Sequence, residues 1–74
     1  MVYINVVSLN PIVLNCHKNS IDGEAFRLVI DPETKEVLEQ PKDSNIDVSI
    51  AYSKVFGYLL NNKPLPTSMV AEWG

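Results

Sequence analysis

The residue types that most often carry out catalysis are scarce in this 74-residue chain, which contains one cysteine, one histidine and one tryptophan. The cysteine and the histidine are neighbours, as Cys16-His17. Adjacent side chains on a β-strand point to opposite faces of the sheet, so the His17 imidazole cannot readily act as a base for the Cys16 thiol. We therefore expect no catalytic dyad, with Cys16 packed in the core and His17 on the outer face.

Metal and cofactor sites are not expected either. A single histidine and a single cysteine exclude a zinc finger, a disulfide framework and any site that needs two histidines. The carboxylates of Asp31, Glu33 and Glu36 are close in sequence, but the segment does not match an EF-hand loop and contains Pro32. The three glycines are scattered and form no phosphate-binding loop. The sequence therefore predicts no metal, no cofactor and no enzymatic activity.

The acidic residues are concentrated in one part of the chain. The formal net charge is −3, and eight of the nine carboxylates lie between residues 22 and 47, which gives that segment a charge of −5. Such a balance disfavours DNA binding, which depends mainly on lysine and arginine at phosphates. A helix-turn-helix made with the C-terminal segment is the weaker alternative, because no lysine or arginine follows Thr67.

The chain carries no sequence signal for a membrane. No stretch reaches the roughly 20 apolar residues that a transmembrane helix needs. The first residues lack the basic start and the small-residue cleavage site of a signal peptide. We expect a cytoplasmic protein without membrane contact, and the unpaired Cys16 is compatible with that location.

The N-terminal half predicts antiparallel strands joined by tight turns. Residues 2–9 and 12–18 are rich in β-branched side chains and are separated by Asn10-Pro11. Asp22-Gly23 is typical of a type I′ hairpin turn, and it leads into a third strand at residues 24–30. On these strands the expected core side chains are Ile12, Leu14, Cys16, Phe26, Leu28 and Ile30.

A second turn is predicted at residues 31–35, followed by a short strand at residues 36–39. Pro32 suits the second position of a type I turn, and the Asp31 carboxylate can accept hydrogen bonds from the turn backbone. Lys35 then occupies the left-handed position that glycine normally fills in a bulged hairpin.

Residues 48–61 predict one helix packed on the sheet. Its apolar stripe has three-and-four spacing and consists of Val48, Ala51, Tyr52, Val55, Phe56, Leu59 and Leu60. Asp47 suits the N-cap, and an asparagine before Pro64 can take the left-handed C-cap. The segment from Thr67 or Ser68 to Glu72 predicts a short helical turn.

Together these elements predict an α+β fold in a single domain of residues 1–74. The expected architecture is a small antiparallel β-meander of three or four strands, with one helix on one face and a short C-terminal helical turn. For a chain of this size, hydrophobic burial and conformational entropy nearly cancel. Two interpretations follow: a partner, either a second copy or a different protein, supplies further stability, or the chain is an ordinary, marginally stable monomer, as many domains of this size are.

Two sets of residues are candidates for partner binding. The acidic set comprises Glu24, Glu33, Glu36, Glu39 and Asp43. Its negative charge would steer a basic partner, although acidic runs also occur on ordinary solvated surfaces. The apolar set lies off the predicted core stripes and comprises Val29, Val37, Tyr58 and Trp73. Trp73 either docks on the helix or projects outward. The leading hypothesis is a non-enzymatic protein-binding regulator or inhibitor. The alternatives are a structural homodimer and a weak DNA-binding regulator.

Overall fold

A computed structural model describes residues 1–18, 25–42 and 46–72. These ranges contain one α-helix and a set of antiparallel strands, which confirms the predicted α+β class. In chain order the elements are β1 (Val2–Leu9), β2 (Ile12–Lys18), β3 (Ala25–Ile30), β4 (Val37–Glu39), α1 (Ile46–Leu60) and β5 (Ser68–Ala71). The predicted Asp22-Gly23 turn lies outside the described residues.

The strands form one antiparallel sheet with the order β4-β3-β2-β1-β5. Strands β1 to β4 follow one another as the predicted meander, and β1 and β2 have the predicted bounds. The turn between them contains Asn10-Pro11, whose peptide bond is cis. Strand β5 returns to pair with β1, so β4 and β5 lie at the two edges of the sheet.

The C-terminal helical turn is not confirmed, because Ser68–Ala71 forms strand β5. The free edge of β1 receives this segment, with Val2 opposite Ala71 and Ile4 opposite Met69. The Val6 N–H extends the ladder by donating to the Thr67 carbonyl at 2.9 Å. A segment this short has no clear period, so its conformation is decided by the distant strand that it pairs with.

The core lies between α1 and one face of the sheet. Every second side chain of the strands points to this face, as the pleat requires. The buried cluster consists of Val2, Ile4, Ile12, Leu14, Cys16, Leu28, Ile30, Val48, Ala51, Val55 and Ala71. Phe26, the remaining predicted core residue of β3, is half-buried and packs against this cluster.

Helix α1 spans Ile46–Leu60 where residues 48–61 were predicted, and one residue of its predicted apolar stripe is exposed. It begins at Ile46, so Asp47 lies in the first turn and not at the N-cap. In the first turn the Asp47 carboxylate still interacts favourably with the positive end of the helix dipole. Its Oδ2 also lies 3.6 Å from Lys18 Nζ. Leu60 was expected in the core stripe but is 60% exposed, whereas its neighbour Leu59 lies in line with Val55 and packs against the core.

The helix ends in a Schellman motif. The Lys63 N–H donates to the Tyr58 carbonyl at 3.0 Å, and the Asn62 N–H donates to the Leu59 carbonyl at 3.3 Å. Asn62 has φ 53°, which confirms that an asparagine takes the left-handed cap. The Asn61 side-chain amide adds a 2.7 Å hydrogen bond to the Gly57 carbonyl.

Candidate interaction surfaces

The acidic residues between β3 and β4 are presented by a well-ordered turn. The Asp31 carboxylate accepts hydrogen bonds from the N–H groups of Glu33, at 2.8 Å, and Thr34, at 3.3 Å. Lys35 has φ 64°, so it takes the predicted left-handed position. The turn is closed by Lys35 N–H donating to Asp31 O at 2.8 Å and by Asp31 N–H donating to Glu36 O at 2.9 Å.

This turn is fastened to the helix by one aromatic side chain. The Tyr52 hydroxyl donates a 2.9 Å hydrogen bond to the Lys35 carbonyl. The Tyr52 ring stacks on Phe56, with centroids 5.4 Å apart and planes 20° apart. The sequence identified Tyr52 only as a core residue, whereas its hydroxyl also links the acidic turn to α1.

The structure describes three of the five predicted acidic residues. Glu33 and Glu36 are exposed on the turn, and Glu39 is exposed on β4. Glu39 Oε2 lies 3.3 Å from Arg27 Nε on the neighbouring strand, with both side chains more than half exposed. An ion pair this accessible to water contributes little to stability, but it offsets the charge of Glu39. Glu24 and Asp43 lie outside the described residues.

The predicted apolar residues occupy different elements and different environments. Val29 is only 8% exposed and is therefore not a surface residue, because it sits in the interior of the sheet between Val13 and Glu39. Val37 is 36% exposed on edge strand β4, and half-buried Tyr58 lies on α1. Trp73 lies outside the described residues.

Edge strand β4 carries an apolar contact residue that the sequence reasoning missed. All three of its residues are exposed, and Leu38 is 57% exposed between Val37 and Glu39. A leucine in a strand normally indicates the core. The signal that identifies Leu38 as a surface residue is its place on an edge strand at a break in the β3–β4 register.

Cys16 and His17 lie on opposite faces of the sheet. Cys16 is fully buried on the helix side, and this burial raises the pKa of its thiol to about 12. His17 pairs with Tyr3 and Ala25 on the other face, where its Nδ1 is buried without a hydrogen-bond partner in the described parts of the chain. The thiol is therefore protonated at neutral pH and lies across the sheet from the imidazole.

A groove with a volume of about 680 Å³ lies between α1 and β5. The helix contributes Ser49, Ile50, Ser53 and Lys54, and the strand side contributes Val70, Ala71 and Glu72. The sequence did not predict this groove, because its C-terminal segment predicts a helical turn in place of β5.

Comparisons with protein-family models, with curated proteins and with solved structures find no match for this chain. The one helix in the described ranges is too short to cross a membrane. Across residues 1–18, 25–42 and 46–72, no three histidine, cysteine or acidic side chains are grouped so that they could hold a metal ion.

Proposed function

We propose that the protein is a non-enzymatic interaction module, a small cytoplasmic regulator or inhibitor that contacts another protein through the β3–β4 hairpin. The main support is the ordered turn that presents Glu33 and Glu36 beside the exposed strand β4. A loop already held in one conformation loses little conformational entropy on binding. The hydrogen bond from Tyr52 to the Lys35 carbonyl further limits the motion of this hairpin.

The hairpin fits a partner with a basic rim around an apolar depression. Leu38 supplies an exposed apolar side chain on β4, and Glu33, Glu36 and Glu39 are exposed on the turn and strand of the same hairpin. Protein interfaces commonly have an apolar centre and a polar rim. Exposed carboxylates accelerate the encounter with a basic surface, and the partner's cations can replace Arg27 as the counter-charge of Glu39.

A structural homodimer is the second candidate, and the two sheet edges favour it. Strands β4 and β5 each have one side with no neighbouring strand in the described sheet. Exposed edges pair readily with another strand, including one from a second copy. The DNA-binding alternative loses its recognition element, because the segment that would form the second helix is β5.

Matched variants of the purified chain test the hairpin proposal. Leu38 and Leu60 are 57% and 60% exposed, so Leu38→Ser and Leu60→Ser remove similar apolar surface from different sites. Proteins captured from lysate by the wild-type chain should be lost with Leu38→Ser and retained with Leu60→Ser. Binding of the captured partner to a Glu33→Gln, Glu36→Gln, Glu39→Gln triple variant should be slower at low salt and converge with wild type at high salt.

Two outcomes would count against this function. Equal capture by both leucine variants would show that β4 is not the contact. Sedimentation of the wild type as a dimer that Leu38→Ser disrupts would replace the heterologous partner with a second copy.

A further inference from the structure

The groove between α1 and β5 lies at the opposite edge of the sheet from the β3–β4 hairpin. Val70, Ala71 and Glu72 form the wall at β5, and the helix surface around Ser49, Ser53 and Lys54 forms the other wall. Its volume of about 680 Å³ lies within the usual range for ligand-binding clefts. The groove is thus a separate surface with its own chemistry.

The outer edge of β5 carries backbone hydrogen-bonding groups, and one of its residues, Val70, also lines this groove. The Val6 N–H donates to the Thr67 carbonyl, and hydrogen-bonded pairs alternate along an antiparallel ladder. In the observed register, Met69 and Ala71 therefore bond to β1, while the N–H and C=O groups of Ser68 and Val70 point away from it. No described strand lies on that outer side. An added extended chain can pair with these groups.

The charge of the groove differs from that of the molecule as a whole. Lys54 lines it and forms no ion pair with any described residue. Ser53 and Lys54 also line an adjoining depression that contains Lys63 and has no carboxylate among its lining residues. Among the described residues that line the groove, Glu72 on the strand side is the one carboxylate. An otherwise acidic protein thus presents lysines and serine hydroxyls along this face of α1.

We propose that this groove binds an acidic, extended peptide segment of another protein, added as a sixth strand next to β5. This mode of recognition draws affinity from main-chain hydrogen bonds and specificity from alternate side chains. Peptide side chains that point toward α1 contact Ile50, and a carboxylate among them reaches Lys54. Glu72 disfavours a carboxylate at its own end of the groove, so the two charges set where the acidic residue lies.

The test starts from a display library of random seven-residue peptides selected on the full chain. The selected peptides should be rich in aspartate or glutamate and in β-branched residues. Titration of a selected peptide should shift the amide NMR signals of Ser68, Val70 and Ser53. Peptides with N-methyl groups on alternate residues should separate into one set that has lost binding and one that retains it, because only every second amide of an added strand faces β5.

Charge variants give effects of opposite sign. Lys54→Gln should weaken the selected peptide about three- to fivefold, and Glu72→Gln should tighten it about two- to threefold, as expected for solvent-accessible charges. Lys42 is exposed and does not line the groove, so Lys42→Gln should leave the affinity unchanged. Equal effects of all three variants would overturn the proposal.

Failure of this proposal is distinguishable from failure of the hairpin function. An unenriched library, a selection of basic peptides or indifference to N-methylation would overturn the groove as an acidic-strand site. Peptide-induced shifts confined to residues 33–39 would also overturn it while leaving the hairpin proposal standing. Dilution-dependent shifts at Ser68 and Val70 without peptide would identify a second copy as the occupant. Leu38→Ser should leave binding of the groove peptide unchanged.

Discussion

The left-handed backbone of Lys35 makes Lys35→Gly a direct test of the β3–β4 turn. At φ 64° a residue with a Cβ atom is crowded by the following carbonyl oxygen, which costs roughly 1–2 kcal/mol. Glycine has no Cβ and adopts this conformation without that cost. The substitution therefore removes this steric cost from the folded turn.

Two opposing effects reduce the expected gain. Glycine increases the conformational entropy of the unfolded chain, which costs about 0.4–1 kcal/mol, and the half-buried lysine stem is lost. The two hydrogen bonds of Lys35, to the Asp31 carbonyl and from the Tyr52 hydroxyl, involve only its backbone and are retained. We expect a net increase of about 0.5 kcal/mol in the free energy of unfolding, and a rise in Tm of roughly 2–4 °C.

The assay is urea unfolding followed by circular dichroism, with Lys35→Ala as the matched control. Alanine removes the same side chain but keeps Cβ, so it should be no more stable than the wild type. The difference between glycine and alanine then isolates the backbone contribution. A glycine variant less stable than the alanine variant would refute the left-handed turn geometry.

Three further predictions concern the core and the sheet. Leu59→Ala should lower the free energy of unfolding by about 2 kcal/mol, and Leu60→Ala should lower it by less than about 0.5 kcal/mol, because only Leu59 of the two packs against the core. Equal losses of the two variants in urea unfolding would contradict this orientation of α1. The Cys16 thiol ionises near pH 9 when unfolded but only at about 12 when folded. The wild type should therefore lose stability above pH 9 faster than Cys16→Ala, by at most about 1.4 kcal/mol per pH unit, and parallel pH profiles would argue against burial of the thiol. His17→Phe should add about 1 kcal/mol in thermal or urea unfolding by removing a buried unpartnered nitrogen, and a loss of stability would show that this nitrogen is satisfied.

The features that local chemistry determines were predictable from the sequence. Alternating β-branched residues and Pro11 define the bounds of β1 and β2. The Asp31 carboxylate and the left-handed Lys35 follow from the side-chain preferences of one turn. Each of these features depends on residues only a few positions apart, so no knowledge of the tertiary fold was needed.

The features that depend on distant partners were not predictable. Strand β5 exists because β1 has a free edge, and the groove beside α1 follows from that pairing. The burial of Val29 depends on the strands on both sides of it, and the pairing of Arg27 with Glu39 depends on the register between β3 and β4. Sequence periodicity identifies the face on which a residue lies, but not the neighbours that cover it.

The pairing of Val2 with Ala71 joins two positions from opposite ends of the described sequence. Closing so long a loop makes β5 a late-forming element in folding, and its single neighbouring strand makes it an early one to detach. The amides of β5 should consequently exchange hydrogen with solvent faster than those of the central strand β2. A peptide bound along the outer edge of β5 would slow that exchange, so ligand binding at this edge would increase the local stability of the strand.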